Sequence, residues 1–299
     1  MLFLRTVVGL LGISNPSYEN IQDILSMATS RLKGRDLSIL DITYRLPSPS
    51  EQPISCGFYN AVLRSRFRAS EVLEGIWNQN QVRQLTSNDE TFKKVTDILE
   101  DAITTDRPII YVHATDRWPY DDYPGELYDQ KRALIGLYYA TALACITGES
   151  VSVITTYSDQ AHHMKNLFNH NFRTLTTEEV KVNFLTTHKA LGSEDKHIIA
   201  ILGKEYHPST ILSDETIYYA EPEVFNVQLS RHRKTLVVVG NLQRMINTIS
   251  KIHSLFGHRS YQNLKITAEQ ILNLCGAEIK SKQLRRTRTG EGGVIHIWD

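Results

Sequence analysis

VFNVQLSRHRKTLVVVGN, residues 224–241, holds two patterns side by side. Its second half, residues 235–239, is a β-branched run that ends in Gly-Asn. Such a run reads as a strand buried on both faces of a sheet. Its first half sets Arg231, His232, Arg233 and Lys234 immediately before that strand. Two readings of this charge stand: a solvated loop, or a site built for phosphate.

Outward from this stretch, strand-like and helix-like segments alternate. NIQDILSMATSRLKG carries Ile21, Ile24, Leu25, Ala28 and Leu32 on one helical face and stops at Gly34. LSILDITYR follows as a strand. ETFKKVTDILEDAIT is helical through Phe92, Val95, Ile98, Leu99 and Ala102, and PIIYVHA is the next strand. DQKRALIGLYYATALACITG forms a long helix ending at Gly148. VSVITTY is a strand, and Ser158 or Asp159 is placed to cap the helix QAHHMKNLF. VNFLTTHKA, KHIIAIL and TLVVVGN are further buried strands, and LQRMINTISKIHSLFG closes the set as an amphipathic helix. Strands too apolar for one wet face, alternating with helices, predict an α/β fold whose parallel central sheet is covered by helices on both faces. In such sheets ligands are expected at the carboxyl ends of the strands. The polar residues of TYR, TTY and TTHKALGSE are expected there. The tail KSKQLRRTRTGEGG reads as an irregular basic segment: a solvated linker, or a weak nucleic-acid or nuclear-import patch.

Composition bounds the function classes. The chain has 299 residues, 41% hydrophobic and 22% charged, enough for one large domain or two modest ones. Lys+Arg and Asp+Glu balance at 33 each, so any anion site must be local. Cys56, Cys145 and Cys275 form no CxxC pair, which suits a reducing compartment and argues against a zinc site. The run MLFLRTVVGLLGIS is short and broken by Arg5, so it reads as a buried strand rather than a signal peptide. No stretch approaches the roughly 18 to 20 apolar residues of a membrane span, and the expected location is cytoplasm or nucleus.

The usual catalytic signatures are absent. No GxxxxGK followed by Ser or Thr occurs, nor HExxH, GxSxG or GxGxxG. His162 and His163 are neighbours on one predicted helix and point to different faces, as surface residues do. What remains is an ordered series: LDITYRLPSP (residues 40–49), VSVITTYSDQ (151–160), FLTTHKALGSEDKHIIAIL (184–202) and FNVQLSRHRKTLVVVGN (225–241).

This series, in this order, resembles the second RecA-like domain of superfamily 1 helicases, over about residues 36 to 256. Within it, the series resembles the group that contains the nonsense-mediated-decay RNA helicase. FYNAVL after the first motif and the helix around residues 129–141 also fit. The resemblance implies a single RecA-like domain over residues 36–260, preceded by a remnant of a first RecA-like domain (1–35) and followed by the tail (261–299). It implies that Arg45 and Arg231 reach the γ-phosphate of ATP across a cleft. A planar guanidinium suits that task, since phosphoryl transfer spreads charge over the equatorial oxygens. Tyr44 matches the tyrosine that stacks on the base; its other reading is a core tyrosine with a satisfied hydroxyl. Gly192 and Glu194 match the turn whose glutamate contacts the ribose, where Glu194 otherwise reads as a solvated carboxylate. Thr155, Thr186 and His188 match positions beside the nucleic-acid track, the two threonines serving otherwise as strand-end caps.

Departures from the pattern are equally specific. The phosphate-binding loop and the acidic metal-binding motif are expected to precede residue 1, so ATP and Mg²⁺ are implied only together with a first RecA-like domain, in cis or in trans. GISNPSYENI stands where the family has Gly-Asp and a Gln-Leu pair; Leu191 replaces the usual Gln, Ser193 a frequent Arg, and Thr156 the usual Pro. The expected partners are single-stranded RNA or DNA, with no membrane. Two functions stay open: the C-terminal half of an ATP-dependent helicase, or a truncated, inactive paralogue that binds nucleic acid or protein. An unrelated nucleotide-using enzyme has no glycine-rich loop to support it.

Overall fold

Six strands, all parallel, form the centre of the molecule: β3 (Ile109–Ala114), β4 (Val151–Thr155), β5 (Val182–Thr186), β6 (Asp195–Ile201), β7 (His232–Gly240) and β10 (Gly293–Trp298), in the order β10-β3-β7-β6-β4-β5. They come from a computed structural model that describes residues 41–87, 89–114, 129–176, 179–203, 222–256, 260–281 and 283–298. The compact unit described is Ile42–Asp299. The predicted helix over residues 20–34, the N-terminal strand and the remnant over 1–35 lie outside the described residues.

The alternation of side chains across the strands builds two cores. Ile198, Ala200, Leu236 and Val238 face one side, under helices α1 (Gln52–Phe58), α7 (Pro222–Leu229), α8 (Leu242–Phe256) and α9 (Ser260–Leu274). Ile199, Ile201, Val237 and Val239 face the other, under α2 (Ala69–Leu73), α3 (Gln79–Thr86), α4 (Glu90–Thr104), α5 (Gln130–Thr147) and α6 (Ser158–Leu167). Leu236, Val237, Val238 and Val239 are almost wholly buried, and each such side chain contributes roughly 1.5–3 kcal/mol relative to exposure. The α/β fold with a helix-covered parallel sheet is therefore the one expected.

Local chemistry sets the ends of these elements. Asp89 caps α4 by accepting from the backbone N–H of Thr91 and Phe92, and α4 spans the predicted residues. Asp129 caps α5, which ends at Gly148 in the left-handed region (φ 64°), the conformation that favours glycine. α5 also lies so close to β6 that a Cβ on Gly136 would fall 2.6 Å from Ile201 Cδ1. α6 departs from expectation: it begins at Ser158, and its cap residue, Tyr157, makes no side-chain capping bond. LSILDITYR yields, among the described residues, only the two-residue strand β1 (Ile42–Thr43), paired in parallel with β2 (Arg64–Ser65).

The irregular tail is a correction. Residues beyond 260 form α9, the antiparallel hairpin of β8 (Ala277–Lys280) and β9 (Gln283–Arg286), and β10, which pairs with β3 from Gly293 and Ile109 to Trp298 and Ala114. The predicted boundary at 260 cuts through one core. The physical reason is visible in the burial: Leu264, Ala268 and Ile271, at helical spacing, are fully buried, and α9 packs on α1 where Gly57 leaves no room for a Cβ beside Thr267. The basic and glycine-rich composition belongs to the hairpin and the turn that leads into β10. Ile271→Ala should lower stability by about 2–5 kcal/mol in urea denaturation, as for a buried aliphatic, whereas a solvated tail would give a change within about 0.5 kcal/mol.

Candidate functional site

The strand at the centre of the argument is longer than its sequence suggested. β7 begins at His232, so most of the basic run lies inside the strand rather than before it. Between Asp195↔His232 and His197↔Thr235 the register shifts, with one more residue on β7 than on β6. Such a bulge re-aims side chains, and three successive basic residues here take three different partners. His232 is buried, its Nε2 2.7 Å from Ser50 Oγ. Arg233 is exposed and donates to Glu194 Oε1. Lys234 Nζ lies 2.8 Å from Glu149 Oε1.

Glu194 is the meeting point of distant segments. Arg45 Nε donates to its Oε2 (3.0 Å) across 149 positions of sequence. Arg233 takes the other oxygen, so the two arginines together hold the Glu194 carboxyl below its usual range. Arg45 also donates to Ser230 O (3.1 Å), next to Arg231. Arg231 sits in the link between α7 and β7, half-buried, with Nε 3.3 Å from Val227 O. Burial, with a smaller push from Arg45, lowers its pKa from the usual value. Gly192 lies in the turn just before, at φ +79° with open space around it, so the left-handed backbone accounts for the glycine. Tyr44, next to Arg45, is 69% exposed, which removes the core-tyrosine reading.

Thr155, Thr186 and His188 lie elsewhere. Thr155 and Thr186 are register partners and the last residues of β4 and β5. Thr155 also pairs with Ile201, six residues along β6 from Asp195, about 20 Å at roughly 3.3 Å per residue. The expectation that polar residues gather at carboxyl ends therefore holds for the threonines and is corrected for Glu194, which lies with Arg45 at the amino edge, where Arg231, read as preceding its strand, also stands. Residues 187–194 run from one edge to the other, with Ala190 buried in the core on the way. Thr155 is buried and donates to Tyr157 O (2.8 Å). Thr186 is half-buried and its Oγ1 accepts from Lys189 N (3.4 Å), while His188 is exposed.

A buried polar set at the carboxyl edge escaped the sequence reading. Arg132 donates to Leu202 O (3.3 Å) and Gly203 O (3.0 Å) and pairs with Asp129 at 3.2 Å. Gln160 both accepts from Asp129 N (2.7 Å) and donates to Asp129 O (3.1 Å). Gln228 donates to Thr156 Oγ1 (3.2 Å) and Ile201 O (3.3 Å). These bonds tie the starts of α5 and α6 to the end of β6. The one signal for Arg132 was its place in the first turn of a helix otherwise apolar nearly all round.

The AAA domain family matches residues 30–243, most of the chain. The chain belongs to that family. It is thus an ATPase- and helicase-like domain with a RecA-like fold, as the motif series implied. No curated protein matches the chain. AAA-family domains generally use ATP and Mg²⁺. The amino edge fits the anionic part of that pair, offering Arg45, Arg231 and Arg233 around one exposed turn. Among the described residues no group of three or more His, Cys, Asp or Glu is arranged to hold an ion. Nor, among them, is any helix long and apolar enough to cross a membrane.

The buried side of this AAA domain's amino edge is a set of neutral imidazoles. Ser50 Oγ spends its proton on Pro47 O (2.6 Å), so Nε2 of His232 must be the donor between them. Burial pushes the His232 pKa down from 6.5 to about 3. Burial also lowers His197, and, at the carboxyl edge where it pairs with Gly240, His113. Burial alone would raise Glu149, but hydrogen bonds from His197 and Lys234 outweigh it and bring its pKa from 4.5 to about 2. The unfolded chain protonates His232 near 6.5 and the folded chain only near 3. Stability is therefore complete above pH 6.5 and falls as pH drops, by up to about 1.4 kcal/mol per unit for such a group. Glu149 begins to lose its contribution only below about 4.5. Denaturation between pH 7 and 4.5 should show stability decreasing with pH, with a shallower slope in His232→Gln. A flat wild-type profile contradicts the assignment.

Proposed function

We propose that the chain is the C-terminal RecA-like half of an ATP-dependent RNA or DNA helicase of superfamily 1, in the group of the nonsense-mediated-decay RNA helicase. It works with a first RecA-like domain, in cis or in trans, which holds most of the nucleotide. The observation that carries this reading is the convergence of Arg45, Arg231, Arg233 and Glu194 from three separated segments onto one exposed edge.

Bound ATP supplies the phosphoryl group, and the chain supplies charge and position. Arg45 and Arg231 meet the terminal phosphate from one side, where negative charge grows as the group transfers. Each carboxylate oxygen accepts more than one hydrogen bond, so Glu194 can hold its arginines and still accept from a ribose hydroxyl. Gly192 sets the turn that presents it. Tyr44 offers its exposed ring to the base. On the opposite edge, Thr186 and His188 flank the path of a single strand, whose backbone is held without reading sequence, and Thr155 acts through the turn it caps.

The alternative, a truncated and inactive paralogue that binds nucleic acid or protein, leaves the arginines idle, and one experiment separates the two. With a first RecA-like domain supplied, Arg45→Ala and Arg231→Ala should each lower kcat about 10²-fold or more, with smaller effects on KM, because their contacts strengthen in the transition state. Arg→Lys should rescue poorly, since a point charge cannot reproduce a two-pronged contact. Arg233→Ala should be milder, because Arg233 acts on Glu194. Unchanged turnover in both main variants would sink the ATP-site reading; a dominant effect of Arg233→Ala would reassign the arginine.

A further inference from the structure

Exposed large hydrophobic side chains are concentrated in one short region. Among the described residues, Ile42, Tyr44, Tyr59, Val62 and Phe67 fall between residues 42 and 67, against Leu175 and Ile297 elsewhere. Within that region Tyr44 and Phe67 form a pair, their ring centroids 6.3 Å apart and their planes at 78°. Both rings keep open surface, 69% and 39% exposed. The sequence RSRFRAS interleaves Phe67 with Arg64, Arg66 and Arg68, and all three arginines are exposed.

This corner is built, not incidental. β1 and β2 pair in parallel, with Ile42 opposite Arg64 and Thr43 opposite Ser65, and Arg66 N extends the pairing by donating to Thr43 O (2.9 Å). Ser65 Oγ donates to Leu46 O (2.6 Å) and accepts from Phe67 N (3.0 Å), fixing the bend that brings Phe67 beside Tyr44. Ser48 N donates to Phe67 O (2.8 Å) from the other side. The next residue after Tyr44 is Arg45, whose guanidinium belongs to the Glu194 cluster. An aromatic corner thus adjoins the Arg45–Glu194 cluster, and exposed arginines interleave with Phe67 along the chain.

We propose that Tyr44 and Phe67 together form the site for the base of the bound nucleotide, with Phe67 fixing how the base lies on Tyr44. The proposal deepens the ATP reading and rests on it for the identity of the ligand. A flat base lying parallel to the Tyr44 ring meets Phe67 nearly at right angles, and both offset-stacked and edge-to-face contacts are favourable aromatic geometries. The exposed arginines favour a base that carries phosphate over an uncharged apolar ligand. Phe67 therefore governs base affinity, while Arg45 and Arg231 govern phosphate affinity.

The test uses the whole chain and three probes: adenosine, inorganic tripolyphosphate and a single-stranded oligo(dT), with binding followed by ligand-observed NMR. Adenosine should bind saturably. Phe67→Ala should weaken it about fivefold or more, Phe67→Trp should keep it, and neither should change tripolyphosphate binding. Phe67 is exposed, so the melting temperature should stay at the wild-type value. Equal adenosine affinity in wild type and Phe67→Ala, or no adenosine binding at all, overturns the proposal. So does a Phe67→Ala defect confined to oligo(dT), which would make the corner part of the strand path. If tripolyphosphate fails to bind while adenosine binding depends on Phe67, the phosphate site falls and the base site stands.

Discussion

The pairing of β7 with β6 and β3 is the constraint from which the rest follows. Residues 236–239 are buried and paired with a strand on both sides, so β7 cannot slide or rotate without exposing much of both cores. A one-residue slip would turn every side chain to the wrong face. The bulge at its amino end absorbs one extra residue without disturbing that register. Immobile aliphatic residues therefore fix where Arg231, His232, Arg233 and Lys234 stand. A charged run beside a hydrophobic strand is, in this fold, a means of holding flexible cations at one place.

The two edges of the sheet differ in how they meet charge. At the amino edge the arginines and Glu194 are partly exposed, and exposed ion pairs of this kind contribute about 0–1 kcal/mol each. Behind them lie neutral, buried His232 and His197, which keep the wall dry without adding charge. At the carboxyl edge Arg132 is 2% exposed and committed to Asp129 and two carbonyls. It shapes the strand ends and is not offered to a ligand. The division of labour proposed for the domain, nucleotide at one edge and strand at the other, follows this distribution of free and committed charge.

Much of this was legible in the sequence. α4 fills its predicted residues because a cap, an apolar stripe and a breaker agree. β3, β4, β6 and β7 were visible as doubly buried runs. α9 and β10 were missed because the Lys-, Arg- and Gly-rich stretch between them dominated the composition, although Leu264, Ala268 and Ile271 keep helical spacing. The site was legible as residue types and order. It was not legible as geometry: that Arg233 turns outward to Glu194 depends on a bulge, which no periodicity announces. That Thr155 spends its hydroxyl on Tyr157 O likewise depends on the turn after β4.

The amino end of β7 holds Arg231 and Arg233 beside Arg45, and the proposed chemistry rests on Arg45 and Arg231 forming one anion site there, with Glu194 positioned by Arg45 and Arg233. The most direct measurement follows the arginine Nε–H signals by NMR while ATP is added to the chain with a first RecA-like domain supplied. The account predicts saturable shifts in Arg45, Arg231 and Arg233 with a common midpoint, and no shift in buried Arg132. Glu194→Gln should move that midpoint to higher ATP concentration, because the carboxylate that anchors Arg45 and Arg233 and accepts from the ribose is gone. Shifts spread evenly over all exposed arginines, or a midpoint unmoved by Glu194→Gln, would contradict it.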